Sequence, residues 1–441
     1  MTKHGFRWIL TAVVLTGHLG CASGGGADEE GIVIGAVFAD DISIIQRSYL
    51  RAVRLAVDEI NASGAFPRRL RLVNRSPSRG DYVDPDEAYR NAMILHDQDQ
   101  AVALLSGPSE PAYAINKLTN TEPYSRLVHC SLATSPGLNT PDAETGDRSD
   151  CYYRTIGTDV HHLKLGMRLM ASNHWLKFAP FVLDDDFGKG VWMLMMYYCS
   201  QLPGCQFQGV KQIPSGPFDI DASKKVLDEV IALTRAGSLD ITVTGIQGAQ
   251  SPGVVKYLTE NGYQGCLMLN AGAKSPDLFD IASGVKSWMV GGNVLRGIDT
   301  DSYQGKNAEA FIGAYRAYDK RDPLSFASNS YDCTYALALS MLYAGEESPT
   351  RQGIWEGIQS FKASRQTGAE IEIGIGAAEF ARAAELIRGG QRVRFEGASG
   401  PLGFDEIGDR PKQPLLTFGP NDTFTDWVTL ERFDADLNPI D

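Results

Sequence analysis

Beyond its first residues the chain has no long apolar run. A membrane-spanning helix needs roughly 20 apolar residues, so everything after residue 30 is expected to fold in water. Cysteines at C-x-x-C spacing are absent, and His129 beside Cys130 is the nearest approach to a mixed ligand set, which argues against a metal centre. Dinucleotide binding needs Gly-x-Gly-x-x-Gly between strand and helix. Gly374-Ile-Gly376 comes nearest, but Glu379 stands at the third glycine place, and the segment reads as a loop-to-helix junction. No Walker pattern occurs, and Gly397-Ala-Ser399-Gly400 lacks the spacing of a nucleophile elbow. No Ser/His/Asp or Cys/His set can be assembled, so neither catalysis nor a cofactor is expected. Positive charge is also short: 41 Lys and Arg face 54 Asp and Glu, a net charge of −13. That balance argues against nucleic acid or anionic lipid as a ligand.

The features that are present begin at the N-terminus. Lys3 and Arg7 precede a short, mostly apolar run from Trp8 to Leu15, the pattern of a secretory signal. Leu19-Gly20-Cys21 follows, then Ala22-Ser23 and Gly24-Gly25-Gly26. This resembles a bacterial lipobox, in which the cysteine is lipidated and becomes the new N-terminus. The usual leucine three residues before the cysteine is His18 here; the alternative is ordinary cleavage near Cys21 that leaves a soluble secreted protein. On the first reading residues 1–20 are the signal and 21–30 a flexible lipidated tether. The protein is then held at a membrane surface, periplasmic or at the cell surface, and touches the membrane through lipid alone. Removing Lys3 and Arg7 makes the mature chain more acidic still. At about 420 residues it is too long for one compact domain, and two lobes are expected.

Cysteine use agrees with export. With Cys21 lipidated, six remain: Cys130, Cys151, Cys199, Cys205, Cys266 and Cys333. Cys199 and Cys205 flank a turn-like Ser-Gln-Leu-Pro-Gly, and Cys130 and Cys151 flank a polar loop rich in Pro, Gly and Asp. Each of these pairs could close its loop, which leaves Cys266 with Cys333; the alternative is buried free thiols or a metal site.

The mature sequence alternates strand and helix. Residues 31–38 form a β-branched run that reads as a buried parallel strand. Tyr49, Ala52, Val53, Ala56 and Ile60 recur at helical spacing. Residues 70–73 and 101–105 read as strands, with a helix over 86–95 between them. The rhythm restarts with strands at 178–183, 240–243 and 265–269 and helices at 191–198, 223–235 and 252–261. Helices are also expected at 306–318 and 329–343, and a helical insertion at 370–389. The expected fold class is α/β, with two Rossmann-like lobes on parallel sheets. His161-His162 reads as a solvated helix start, and Asp184-Asp185-Asp186 as the N-terminal cap of the next helix rather than a cation site.

Several segments carry a resemblance in common. They are the opening strand with Ala52-Val-Arg-Leu-Ala-Val-Asp-Glu-Ile-Asn61, then Leu105-Ser-Gly-Pro-Ser109, Tyr153-Arg-Thr155 and Asp186-Phe-Gly-Lys-Gly190. Tyr331-Asp332, the stretch from Phe395 to Asp405 and Gly408-Asp409 complete the set. In this order the segments resemble type I periplasmic solute-binding proteins of the branched-chain amino acid (Leu/Ile/Val-binding) family. The resemblance implies two lobes joined by a three-crossover hinge, with crossings near 155–158, 291–295 and 402–405. The N-lobe would be 31–156 plus 294–403 and the C-lobe 157–293 plus 404–441. It further implies a monomer that closes on a small-molecule ligand and delivers it to ABC permease subunits, or a ligand-sensing subunit of a signalling system.

The resemblance also places the ligand. An α-carboxylate would meet Ser106, Gly107 and Ser109 and the Ala133-Thr134 loop, where small hydroxyl residues leave backbone amides open to an anion. Phe187, Gly245 and Gln247 would line the C-lobe wall. The acid that neutralises an amino acid's ammonium in this family is replaced by Ala271, which points away from an ordinary α-amino acid, because a buried ammonium without a counter-charge is costly. Asp40 or Asp41 is the alternative source of that charge.

Overall fold

Residues 32–37, Ile-Val-Ile-Gly-Ala-Val, are all buried and form β1 (Ile32–Val37), as a strand covered on both faces must be. Gly35 is needed there: a Cβ would lie 2.8 Å from Leu104 Cδ2 and 3.1 Å from Leu95 Cβ. Helix α1 (Ile44–Ala62) starts where the Ser43 side chain accepts from Gln46 N, and it buries Tyr49, Ala52, Val53, Ala56 and Ile60 on one stripe. The first lobe continues through β2 (Leu70–Asn74), α2 (Pro85–Asp97), β3 (Ala101–Ser106), α3 (Ser109–Thr119), β4 (Val128–Ser131) and β5 (Tyr152–Arg154). Its five strands are parallel in the order β2-β1-β3-β4-β5.

This computed structural model describes residues 31–39, 43–76, 84–135, 151–248, 250–275, 277–302, 304–345, 347–410 and 412–440. The proposed lipidation site Cys21, the signal and tether segments, and the candidates Asp40 and Asp41 lie outside the described residues. No helix among the described residues is long and apolar enough to cross a membrane.

The second lobe begins with α4 (Asp159–Ser172), β6 (Lys177–Leu183) and α5 (Asp186–Gln201). It runs on through β7 (Gln206–Phe207), β8 (Lys211–Ile213), α6 (Ile220–Arg235), β9 (Ile241–Gly245), α7 (Ser251–Glu260) and β10 (Cys266–Leu269). Two short helices, α8 (Leu278–Ile281) and α9 (Val285–Val290), lead into β11 (Val294–Thr300). Strand β11 pairs in parallel with β10, inside the second sheet. Residues 294–300, expected in the first lobe, therefore complete the second, and the chain crosses back after Thr300. It then adds α10 (Gly305–Asp319), α11 (Ala327–Ala344), α12 (Arg351–Ile358), β12 (Ile371–Ile373), α13 (Ala377–Arg388), β13 (Val393–Gly397) and β14 (Gly400–Pro401). The last crossing leads to β15 (Leu415–Pro420), β16 (Trp427–Phe433) and β17 (Pro439–Ile440), which extend the second sheet antiparallel from β11. The predicted helical insertion at 370–389 is in fact strand, loop and helix, because Ile371–Ile373 pairs with β13.

Helix α11 is buried over nearly its whole length and forms the spine of the first lobe against α1 and α12. A disulfide, Cys130–Cys333, ties it to β4, and Cys199–Cys205 closes the end of α5. Only the second matches the expected pairing. Cys130 is in register with Tyr153 rather than Cys151, and its Cα lies 5.8 Å from that of Cys333. Cys266 sits on β10 in the other lobe, out of reach of Cys333. Cys151 and Cys266 are buried outside both disulfides.

The three crossings are knitted together. Gln413 accepts from Gly157 N at 2.9 Å in the first crossing and donates to Ser302 Oγ at 3.2 Å in the second. Asn329, at the head of α11, donates to Thr155 O at 2.7 Å.

Candidate functional site

Both sheets point the C-terminal ends of their parallel strands at the space between the lobes, where loops in open α/β sheets hold ligands. The first lobe lines this cleft with Ser43, Gln46 and Tyr49 after β1, Ser109 after β3, Thr134 after β4, and Phe326 ahead of α11. The second lobe answers with Phe187, Gln247, Asn270 and Gly272. The cleft measures about 620 Å³, counting its open mouth. Phe326 holds a left-handed φ of 68°, a conformation costly for an aromatic residue and concentrated at ligand sites.

The predicted residues separate into two groups. Ser109, Thr134, Phe187 and Gln247 line the cleft. Ser106, Gly107, Ala133 and Gly245 lie behind it and support it. The Ser106 side chain is turned inward, with Oγ 2.8 Å from His129 Nε2, and burial pushes that imidazole down to about 3, so it is neutral at ordinary pH. Gly107 passes against Gln46, whose Oε1 would be 3.2 Å from an added Cβ. Gly245 is wedged between Val182 and Val191, where a Cβ would be 3.0 and 3.2 Å from their methyl groups. Ala133 offers its carbonyl to Arg154 at 3.0 Å.

Arg154 fixes the Ala133-Thr134 loop. Its Nη1 donates to Ala133 O at 3.0 Å and Ser135 O at 2.6 Å. Its Nε and Nη2 grip both oxygens of Asp409 at 2.6 and 2.8 Å. A fully buried guanidinium is tolerable only when paired and hydrogen-bonded in this way. The pair links the first crossing to the third, so the loop holding Thr134 is set by the hinge itself.

On the second lobe, Asp185 caps α5 by accepting from Gly188 N at 2.7 Å, as expected for the acidic run. Gly188 is obligatory, because a Cβ would fall 2.0 Å from Leu183 O. This close turn presents Phe187 to the cleft. Across the lobe boundary, Glu110 on α3 is buried against Asp185. Its carboxyl is pushed up to about 8, by burial first and by the Asp185 charge second. Burial raises Asp185 as well. Two carboxyl groups so placed share a proton.

Sequence reasoning missed a second space behind the cleft. It measures about 570 Å³, mouth included, and shares Thr134, Asn270 and Phe326 with the cleft. Its walls are largely apolar, led by Met167, Met170, Met195 and Met268. Asp159 and His162 face it from α4. Each is only 7% exposed, so the predicted solvated helix start is wrong for His162: the Thr134 loop covers this end of α4, with Asp159 N donating to Thr134 O at 2.8 Å. Asp159 Oδ2 and His162 Nε2 have no hydrogen-bond partner. Neither was legible from the sequence, since a helix opening Asp-Val-His-His looks exposed. Among the described residues no cluster of three or more His, Cys, Asp or Glu is placed to hold a metal.

The overall fold is that of type I periplasmic binding proteins. The chain is similar to the leucine-binding protein LivK of Thermotoga maritima, at 16% identity with a TM-score of 0.67, covering 92% of this chain and 99% of that one. It is similar to LivJ of Streptococcus pneumoniae in complex with isoleucine, at 16% identity with a TM-score of 0.66, covering 91% and 100%. A solute-binding protein of an ABC transporter from Rhodopseudomonas palustris HaA2, in complex with p-hydroxybenzoic acid, gives 14% identity and a TM-score of 0.68, covering 92% and 98%. In sequence, a chemotactic signal transduction substrate-binding protein, BasB of Halobacterium salinarum, is 24% identical over 376 residues, covering 83% of this chain and 79% of BasB. No protein-family model matches the chain.

Proposed function

We propose that this chain is an extracytoplasmic solute-binding protein of an ABC importer, not an enzyme, and that it closes two lobes around a small amino-acid-like or carboxylate ligand. The observation that carries the reading is the cleft itself, lined from both lobes at their strand ends and bounded by three knitted crossings. Solved structures of the same architecture hold isoleucine and p-hydroxybenzoic acid, which supports a ligand of that size and polarity. On this reading the ligand carboxylate lies at Ser109 and Thr134, where the first turn of α3 offers backbone N–H groups, with Phe187 and Gln247 closing from the other side. The chain acts as a monomer, tethered by lipid at Cys21, and hands its ligand to permease subunits. Closure is stabilised only by contacts the open form lacks. The experiment is a thermal-shift screen against amino acids, organic acids and amides. A saturable rise in melting temperature with a member of that panel is expected, and a flat response to all of them would contradict the reading.

A second reading has one specific observation in its favour. BasB is named as part of a chemotactic signal transduction system, so the same ligand capture can serve sensing. Accumulation of radiolabelled ligand in cells with and without the gene separates the two: loss of uptake supports import, and unchanged uptake with a lost chemotactic response supports sensing.

A further inference from the structure

We propose that Asp28-Glu29-Glu30 docks into an arginine-lined groove at the far pole of the first lobe, so that the N-terminal tether leaves the protein there as an electrostatic strap. The three acids lie outside the described residues; the groove that fits them lies within. The strap goes beyond the solute-binding reading and does not involve the cleft.

The groove opens at the N-terminal ends of β1 and β2, the end of the first sheet opposite the cleft. It measures about 1440 Å³, open mouth included. Arg54 and Asp58 of α1 line it, with Arg68, Arg69 and Arg71 around the start of β2 and Tyr318 of α10. All four arginines are exposed. Four guanidinium groups thus stand with one carboxylate, in a chain whose net charge is −13. Like charges gathered on one concave surface repel one another, and an anionic segment laid among them relieves that repulsion.

The chain enters this groove at Gly31, directly after the acidic run. Arg68 Nη2 donates to Gly31 O at 3.3 Å. The Arg71 stem crosses so close that a Cβ on Gly31 would lie 2.4 Å from its Cδ. Ile32 N donates to Arg69 O at 2.9 Å, so three arginine residues fix the backbone at this point. Three residues extend at most roughly 11 Å. Asp28, Glu29 and Glu30 are therefore confined to a distance from Gly31 comparable with the screening length of about 10 Å at 0.1 M salt. An exposed ion pair alone is weak. Covalent attachment makes these contacts intramolecular, and guanidinium forks can grip carboxylates in bidentate fashion. An anionic lipid headgroup has the same charge chemistry, but it would have to displace acids that precede Gly31 directly. On the lipidated reading, the strap leaves residues 21–27 to span the gap to the anchor and turns this pole, rather than the cleft, toward it.

The test places a nitroxide spin label on Ala27→Cys, one residue before the acids, in the full mature chain. Cys21→Ser removes the competing thiol and the lipid, and Cys151 and Cys266 are buried. At about 50 mM salt the label should tumble several-fold more slowly than at about 1 M salt, where the Debye length falls to about 3 Å. Reversing the acids with Asp28→Lys, Glu29→Lys and Glu30→Lys should free the label at low salt. Reversing the groove with Arg54→Glu, Arg69→Glu and Arg71→Glu should do the same. Combining the two sets should restore slow tumbling, which damage to the fold cannot do. A label equally mobile at both salts, or one that neither reversal frees, overturns the strap. Phosphatidylglycerol vesicles probe the rival occupant: a label mobile without vesicles and slowed only by adding them assigns the groove to lipid and overturns the strap as well.

Discussion

The two walls of the cleft are built on opposite principles. The first-lobe wall carries the cleft's hydroxyl groups, Ser43, Tyr49, Ser109 and Thr134, and is stiff. Thr134 sits on a loop fixed by the Arg154–Asp409 pair, and the sheet beneath it is stapled to α11 by Cys130–Cys333. Behind the second-lobe wall of Phe187, Gln247, Asn270 and Gly272, the chamber is apolar and adaptable, with methionines beside the buried Asp159. On the proposed function the difference teaches a division of labour: the stiff wall would orient a ligand, and the soft chamber would adapt to it. A polar site must be preorganised, because each misplaced hydrogen bond costs the desolvation of its partners. An apolar chamber tolerates repacking.

The largest way to break this contrast is to cut its staples. Cys130 and Cys333 are 203 residues apart, and Cys199 and Cys205 only 6. On the chain-entropy estimate, removing the first bridge costs roughly 5 kcal/mol and the second roughly 2 kcal/mol. Denaturant melts of the two double serine variants should show that order; equal losses would mean the first lobe is no stiffer than the second. Next comes Arg154→Ala, which removes the guanidinium that grips both oxygens of the buried Asp409. It should lower stability by about 3–5 kcal/mol and also weaken ligand binding by freeing the Thr134 loop. Full stability in this variant would show that the loop has another support.

The smallest effect concerns the seam between the walls. Glu110 is held near 8 against an ordinary 4.5. The folded protein therefore keeps a proton that the unfolded chain gives up across that window, so stability should decline as pH rises from about 4.5 to about 8. Glu110→Gln removes this component. Melting temperatures of wild type and variant should converge near pH 5 and separate, with the variant higher, near pH 9; parallel curves would mean that Glu110 titrates normally.

Much of the scaffold was legible in the sequence, for a physical reason. The Ile32–Val37 run and the stripe from Tyr49 to Ile60 are local patterns that burial enforces directly. Non-local facts were not. The partner of Cys130 is set by which face of β4 meets α11, something spacing does not encode. Strand β12 was absorbed into a predicted helix because three residues cannot show a period, and β11 was assigned to the wrong lobe because a boundary carried over by resemblance does not reveal that residues 294–297 pair with β10. The site divided in the same way. Thr134 and Phe187 were reached through resemblance, and they do line the cleft. Asp159 and His162 stayed hidden because their burial comes from a loop two elements away. The acid absent at Ala271 was sought at Asp40 and Asp41, which lie outside the described residues, while the structure buries Asp159 of α4 against the same space as Ala271.

Closure around a ligand is the claim on which the rest depends. Small-angle X-ray scattering of the full chain, titrated with the solute that raises its melting temperature most, measures it directly. The account predicts a saturable contraction in radius of gyration whose midpoint matches the thermal-shift titration. An unchanged radius at saturating ligand would contradict it.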